Sequence, residues 1–198
     1  MSVLTKKQIG IRLAEEKWDR RLVITPLLDE SQVGTSSVDL RLGREFVVIR
    51  RANMPAVDPM ERENAEVERR RFEDRISLGW GEQFFLHRGQ FVLGSTLEYI
   101  KLPNDFAAYV TSRSSWGRVG LVIATAIAVA PGYRGIITFE LTNLGNAPMA
   151  LRPGVRIAQI VFHRAEDGQS YEGKYRCPTR PEHGKIYLDD DIAYWCKS

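Results

Sequence analysis

The second half of the chain is a run of short apolar segments separated by glycines and prolines. From Glu82 onward these segments include QFVLGSTLEYIKLP, AAYVTS, LVIATAIAV, GIITFELTN and MALRPGVRIAQIVF. The residues that punctuate them are turn formers, namely Gly89, Pro103, Pro131, Gly145 and Pro153. Short strands at such spacing are typical of sandwiches and barrels. The pattern therefore predicts a mainly β protein.

A different periodicity marks the N-terminus. Thr5 and Gln8 have the spacing of a capping box. Ile9 and Leu13 then lie on one side of a short helix, which we place at about residues 5–18. In the following segment VDLRLG, apolar and polar residues alternate as in a half-buried strand. We therefore expect an N-terminal helix followed by strands.

The chain contains neither an internal repeat nor a linker, so we expect a single domain over residues 1–198. The barrel is predicted at about residues 35–165. Inside it, residues 52–80 carry dense mixed charge, which favours a solvated helix or loop outside the main fold. Residues 166–198 form a polar tail with scattered aromatic side chains, which we expect to dock late or on a neighbouring chain.

Composition excludes several classes of function. The net charge of +3 is compatible with an anionic small ligand but too small to indicate a nucleic-acid polymer as partner. The first residues lack the apolar core of a signal peptide, and no apolar stretch is long enough to cross a bilayer. Cys177 and Cys196 show no paired spacing, which argues against a disulfide framework. We therefore expect a cytoplasmic protein without a membrane partner.

The common catalytic motifs are missing from the sequence. It has no H-x-E followed by P-C-x-x-C, no H-E-x-x-H, no Walker-type phosphate loop and no G-x-S-x-G. The three histidines, His87, His163 and His183, are isolated from one another in sequence. Zinc chemistry is therefore disfavoured.

A polar group of residues interrupts the apolar segments at SRSSWGRVG. Arg113 and Arg118 supply guanidinium groups suited to phosphate or carboxylate oxygens, and the segment also carries hydroxyls. The hydroxyls belong to Ser114 and Ser115, and Gly117 permits close backbone approach. Two interpretations remain open: an anion-binding turn, or a helix N-cap with two surface arginines.

One carboxylate shares a strand face with hydroxyls. In IITFELTN, alternation places Thr138, Glu140 and Thr142 on one face and apolar residues on the other. If that face is solvated, Glu140 is an ordinary surface residue. If the face is enclosed, loss of solvation raises the pKa of Glu140 and lets it exchange protons near neutral pH.

Taken in order, these segments resemble the dCTP deaminase branch of the trimeric dUTPase superfamily. The resemblance runs from SSVDLRLG through GQFVLGSTLEYIKLP, RSSWGRVGL, APGYRGIITFELTN and LRPGVRIAQIVF to YEGKY, roughly residues 24–175 without the charged segment. Several motifs in one order are more specific than any single motif. The resemblance implies a distorted jelly-roll β-barrel of the dUTPase-like kind and a homotrimer with active sites between subunits.

The resemblance also implies roles for individual residues. Glu140 would activate a water that attacks C4 of cytosine, with Ser114 and Arg118 positioning the water and the base. Mg²⁺ would arrive with the triphosphate, and no zinc would be needed. The other nucleotide contacts that the resemblance implies are Arg113, Ser115, Thr125, Ala126, Gln159, Tyr171 and Lys174.

One departure from the family pattern bears on the product. Ala130 precedes Pro131 and Gly132, where the family has an aspartate that serves the triphosphatases as the base for attack on phosphorus. We therefore expect dCTP to be deaminated to dUTP and ammonia. The alternatives are a deoxynucleotide-binding sensor with little catalysis and, ranked last because of Ala130, a dUTP diphosphatase or a bifunctional deaminase-diphosphatase.

Overall fold

The structure is a computed structural model that describes residues 2–50, 72–124, 128–166 and 168–189. Within these ranges the helices are α1 (Lys6–Leu13) and α2 (Ser114–Gly117), with 3-10 turns at Glu30–Gln32 and Ile186–Leu188. The strands are β1 (Val23–Thr25), β2 (Val38–Arg41), β3 (Glu45–Ile49), β4 (Glu73–Ser77), β5 (Phe84–Leu86), β6 (Phe91–Ser95), β7 (Tyr99–Lys101), β8 (Phe106–Ser112), β9 (Leu121–Ile123), β10 (Ala128–Val129), β11 (Arg134–Gly135), β12 (Thr138–Asn143), β13 (Met149–Leu151) and β14 (Arg156–Arg164). Across the same ranges, no helix is both long and apolar enough to span a bilayer.

The described strands are arranged in four antiparallel sheets. The largest has the order β4-β3-β6-β12-β9, and the next has the order β10-β8-β14-β2. Smaller sheets have the orders β1-β7-β11 and β13-β5. The prediction of a mainly β, jelly-roll-like fold with an N-terminal helix is confirmed. In the described part of the chain, the strands form several sheets instead of one closed barrel.

The two larger sheets contribute to one apolar core. Phe46 and Phe139 from the first sheet and Phe162 from the second are each at most 1% exposed. Burying a side chain of this size contributes about 1.5–3 kcal/mol. On β12, Phe139 and Leu141 are buried while Thr138 and Glu140 are half-buried, which confirms the predicted alternation. Core packing thereby fixes the strand that carries Glu140.

The N-terminal helix begins as predicted and ends early. The Gln8 N–H donates to Thr5 Oγ1 at 3.5 Å, and the Thr5 N–H donates to Gln8 Oε1 at 2.9 Å, so the capping box is confirmed. The helix ends at Leu13, short of the predicted end. The Arg12 guanidinium donates to the Arg20 carbonyl at 2.9 and 2.6 Å. These bonds fold the chain back over the last turn and stop the helix.

Part of the charged segment belongs to the main sheet. The predicted solvated helix or loop is wrong for Glu73–Ser77, which form β4 and pair with β3 from Ile49 to Glu45. The reason is backbone pairing together with Ile76, which packs against the core. The predicted segment up to residue 71 otherwise lies outside the described residues.

The C-terminal tail lies across its own chain. Three hydrogen bonds attach it: Tyr171 N–H to Pro131 O at 2.9 Å, Ile136 N–H to Pro178 O at 2.9 Å, and Glu182 N–H to Thr138 Oγ1 at 3.1 Å. Gly135 has φ +138°, and a Cβ added there would lie 2.3 Å from Pro178 Cδ. The close approach of the tail therefore requires glycine at this position.

Candidate active site

Glu140 lies in the wall of a cavity of about 300 Å³ between β12 and the tail. Burial raises the pKa of the Glu140 carboxyl above its ordinary value because it disfavours the charged form. The cavity is lined by residues of the sheets and of the tail, among them Leu93, Val129, Ala130, Tyr133, Thr138, Tyr171, Tyr175, Pro178 and Glu182. Of the two interpretations of Glu140, the structure favours the enclosed one. Its catalytic role stays a prediction.

Three tyrosines form much of the aromatic lining of this cavity. The Tyr133 hydroxyl donates to the Ile136 carbonyl at 2.6 Å, and burial raises the pKa of Tyr133, so the phenol stays neutral. The Tyr133 and Tyr171 ring centroids are 5.8 Å apart. The Tyr175 hydroxyl accepts a hydrogen bond from the Lys185 N–H at 2.9 Å. Aromatic faces of this kind suit a planar ligand such as a nucleobase.

The polar turn predicted from SRSSWGRVG is a single helical turn, α2, directly after β8. Arg113 is its N-cap residue, and the Arg113 side chain makes no capping hydrogen bond. Ser114, Ser115 and Arg118 are exposed, and none of them is among the described residues that line the Glu140 cavity. Within one chain, the structure therefore does not bring this turn into the same cavity as Glu140.

Arg113 belongs to a row of alternating charges. Asp39 lies 3.5 Å from both the Arg113 and the Arg156 guanidinium groups. Arg156 also pairs with Asp29, which in turn contacts Arg41 at 2.8 Å. Hydrogen bonds from Ser31 and then from Arg156 lower the pKa of Asp29 to about 2. The row contains three guanidinium groups and two carboxylates, so it carries a positive excess.

Gln159 lies beside this row. It pairs in register with Asp39 on one side and Thr111 on the other, and its Oε1 accepts from the Ser37 hydroxyl at 3.4 Å. The structure therefore groups Gln159 with Arg113, as two of the predicted nucleotide contacts. Asp39, Gln159 and Thr111 lie side by side across β2, β14 and β8, and Arg113 directly follows β8.

The predicted tail residues occupy two different places. Tyr171 lines the Glu140 cavity. Lys174 pairs with Asp189 and lines a neighbouring cavity of about 510 Å³. Pro178 and Glu182 line both cavities, so the two are adjacent. The predicted contacts Thr125 and Ala126 lie outside the described residues.

Sequence reasoning missed three residues of this region. Asp39 was visible only as a polar position in VDLRLG, and Tyr133 only as part of APGYRG. Glu182 carried no signal, because the tail has no periodicity that indicates which residues face the sheet. Its place in the cavity follows from long-range contacts of the tail.

The architecture has a counterpart among solved structures. The chain superposes on the crystal structure of 2'-deoxycytidine 5'-triphosphate deaminase from Agrobacterium tumefaciens with a TM-score of 0.61 and 25% sequence identity. The match covers 82% of this chain and 48% of that one, so this chain spans about half the length of the Agrobacterium protein.

Sequence comparison gives the family. The profile of the dCTP deaminase-like family matches residues 3–165, and the chain belongs to this family. It is 44% identical over 185 residues to a dCTP deaminase of Natronomonas pharaonis, covering 87% of this chain and 90% of that protein. It is 38% identical over 200 residues to a protein of Methanobrevibacter smithii named "dCTP deaminase, dUMP-forming", and the match covers 97% of this chain and 99% of that protein.

Proposed function

We propose that this protein hydrolyses dCTP to dUTP and ammonia, with Glu140 as the group that activates water. The observation that carries the proposal is the Glu140 carboxyl in a cavity roofed by the tail, where burial raises its pKa. A carboxylate whose pKa is raised accepts a proton from water more readily than an ordinary carboxylate does. The relatives named dCTP deaminase support the choice of substrate.

In the proposed reaction, Glu140 takes a proton from a water molecule, whose oxygen bonds to C4 of the cytosine ring. As the oxygen bonds to C4, the electron pair of the N3–C4 double bond moves to N3, which receives this first proton from Glu140. Glu140 then takes the second proton from the new C4 hydroxyl and gives it to the amino nitrogen, so that the C4–N bond breaks, a C4 carbonyl forms and ammonia leaves. Protonation is needed because an amide ion is a poor leaving group. The sequence lacks the zinc-deaminase motifs, so we assign water activation to the carboxyl and not to zinc.

The triphosphate would bind to the positive row and the polar turn. Arg113 supplies a charged fork, and the exposed serines of α2 supply hydroxyl and backbone donors. Tyr171 and Lys174 would complete this site from the tail of an adjoining subunit, because within one chain they line cavities that do not include the polar turn. Mg²⁺ would enter bound to the triphosphate as part of the substrate.

We also propose a homotrimer whose subunits share each site. Ser114 and Arg118 are exposed and lie outside the lining of the Glu140 cavity, so a neighbouring subunit would supply them. Next to Glu140, Thr142 is flanked in register by Phe91 and Val122, which are 40% and 36% exposed. An apolar strip of this kind suits burial against another copy.

Subunit exchange tests the shared site. Glu140→Gln and Arg118→Ala proteins, each inactive alone, should regain about a quarter of wild-type activity when unfolded together and refolded in equal amounts. The reason is that a mixed trimer contains interfaces in which both residues are native. Light scattering gives the oligomeric state. Mixed trimers without activity would contradict a site shared between subunits.

A second candidate product is dUMP, because several relatives are named "dCTP deaminase, dUMP-forming". Against it, Ala130 contributes only a methyl group to the cavity wall, so this position offers no base for attack on phosphorus. We therefore favour dUTP.

The decisive experiment is the product profile. The protein is incubated with dCTP and Mg²⁺, and the nucleotides are separated by chromatography while pyrophosphate is measured. We expect dUTP and ammonia without pyrophosphate. Release of dUMP and pyrophosphate would establish the second candidate. Tight dCTP binding without any product would instead indicate a nucleotide sensor.

A further inference from the structure

The cavity that contains Glu140 has a second carboxylate. Glu182 comes from the tail, and its side chain is 30% exposed at the edge of the cavity. The mechanism proposed above gives it no role. The family resemblance extends along the tail only as far as YEGKY, which ends at Tyr175, before Glu182.

Glu182 is held close to Glu140 along the strand. Its N–H donates to Thr138 Oγ1 at 3.1 Å, and Thr138 precedes Glu140 by two residues on the same face of β12. Residues two apart on a strand lie about 7 Å from each other. The two carboxylates thus belong to neighbouring parts of one cavity.

The Glu182 carboxylate does not attach the tail to the sheet. The attachment is made by the backbone N–H, whereas Oε2 accepts from Lys185 Nζ at 2.8 Å, within the tail itself. No hydrogen bond to Oε1 occurs among the described residues. The oxygens of an ionised carboxylate accept hydrogen bonds and cannot donate them.

We propose that Glu182 is a specificity-determining residue whose Oε1 accepts a hydrogen bond from a donor group of the bound nucleotide. The inference rests on the proposed function, because it assumes that the nucleotide occupies this cavity. Deoxycytidine triphosphate has two candidate donors, the 4-amino group of the base and the 3'-hydroxyl of the sugar. In dUTP the amino group is replaced by a carbonyl, which cannot donate.

The test is equilibrium binding in a background that does not turn over. Calorimetry measures dissociation constants of the Glu140→Gln protein, alone and combined with Glu182→Gln, for dCTP, its 3'-deoxy analogue and dUTP. Glu172→Gln is the matched control, since Glu172 is another tail glutamate paired with a basic residue, at 82% side-chain exposure. We expect Glu182→Gln to weaken dCTP binding about tenfold or more, as for loss of a charged hydrogen bond, and Glu172→Gln to leave it unchanged.

The three ligands identify the donor. If the 3'-hydroxyl is the donor, Glu182→Gln weakens dCTP and dUTP but not the 3'-deoxy analogue. If the amino group is the donor, it weakens dCTP and the analogue but not dUTP. Equal weakening of all three would mean that Glu182 only shapes the tail, and unchanged binding would mean that it makes no contact. Either result overturns the inference, as does failure of the background protein to bind any of the three.

Failure of the inference and failure of the proposed function have different signatures. The wild-type product profile decides whether dCTP is deaminated. The variant series decides whether Glu182 contacts the nucleotide. Deamination by the wild type together with unchanged binding in Glu182→Gln would refute this inference alone.

Discussion

Replacing Gly135 by alanine should open the roof of the cavity. The Cβ of alanine would lie 2.3 Å from Pro178 Cδ, whereas carbon atoms in contact are about 3.5 Å apart. Pro178 must therefore retreat by about 1.2 Å. The movement also strains the hydrogen bond from the Ile136 N–H to the Pro178 carbonyl.

A displacement of this size has a large expected effect on catalysis. Misplacing groups of an active site by about 1 Å can lower activity about 100-fold, so we expect a loss of this order in kcat/KM for dCTP. Alanine at φ +138° adds backbone strain of about 1–3 kcal/mol. The free energy of unfolding should fall by a similar amount.

Gly89→Ala is the matched control. Gly89 also has a positive φ, +68°, but an added Cβ there meets nothing within 4 Å. The Gly89→Ala variant therefore has backbone strain from a positive φ, as Gly135→Ala does, but its added Cβ makes no contact with the tail. The assays are steady-state kinetics, urea unfolding and the rate of tryptic cleavage after Lys174 and Arg176. We expect only Gly135→Ala to lose activity and to be cleaved faster in the tail. An active Gly135→Ala protein, or an equal loss in both variants, would refute the reasoning.

Three further predictions follow from the charges of the site and the core. Glu140→Gln should keep dCTP binding while kcat falls at least about 100-fold, because an amide cannot accept the proton. Since burial raises the pKa of Glu140, wild-type kcat should also decline as pH falls through that pKa. A kcat that does not change with pH would contradict the role assigned to Glu140. Asp39→Asn should raise KM for dCTP about tenfold with little change in kcat, because the Arg113 guanidinium loses the carboxylate that holds it in place. The control is Asp74→Asn, which breaks the exposed ion pair with Arg50 and should leave KM unchanged. Burial raises the pKa of Glu98 to about 7 from its ordinary 4.5, so the folded state keeps a proton that the unfolded state loses. The free energy of unfolding should therefore fall by roughly 3 kcal/mol between about pH 4.5 and pH 7. Urea unfolding of Glu98→Gln should show a smaller decrease over this pH range. An equal decrease in the wild type and in Glu98→Gln would contradict the role assigned to Glu98.

Local sequence patterns predicted those parts of the fold that depend on local interactions. The capping box at Thr5 and the alternation along β12 are set by neighbours in sequence, and both occur as predicted. The early end of α1 was not predictable, because it depends on Arg12 reaching the carbonyl of Arg20. In the same way, β4 has a strongly charged sequence but is placed by its pairing with β3.

In the candidate site, too, local sequence predicts some features, whereas features that depend on long-range contacts were not predictable. Residue types and their order predict Glu140 and the turn of Arg113 as site residues, and both assignments stay predictions. The Asp39 partner of Arg113 was not predictable, because the two lie far apart in sequence and meet only across β14, which separates β2 from β8 in the sheet. The approach of Glu182 to the cavity was hidden for the same reason.

The roof over Glu140 comes from a stretch of chain beyond residue 165, where the match to the family ends. Tyr171, Tyr175 and Pro178 of that stretch line the cavity, so their positions set the shape of the space beside the carboxylate. Changes near Tyr175 and Pro178 can therefore reshape the cavity without altering the strand that carries Glu140. Under the proposed function, sequence changes in the tail would tune how tightly a nucleotide is held while the carboxylate stays in place.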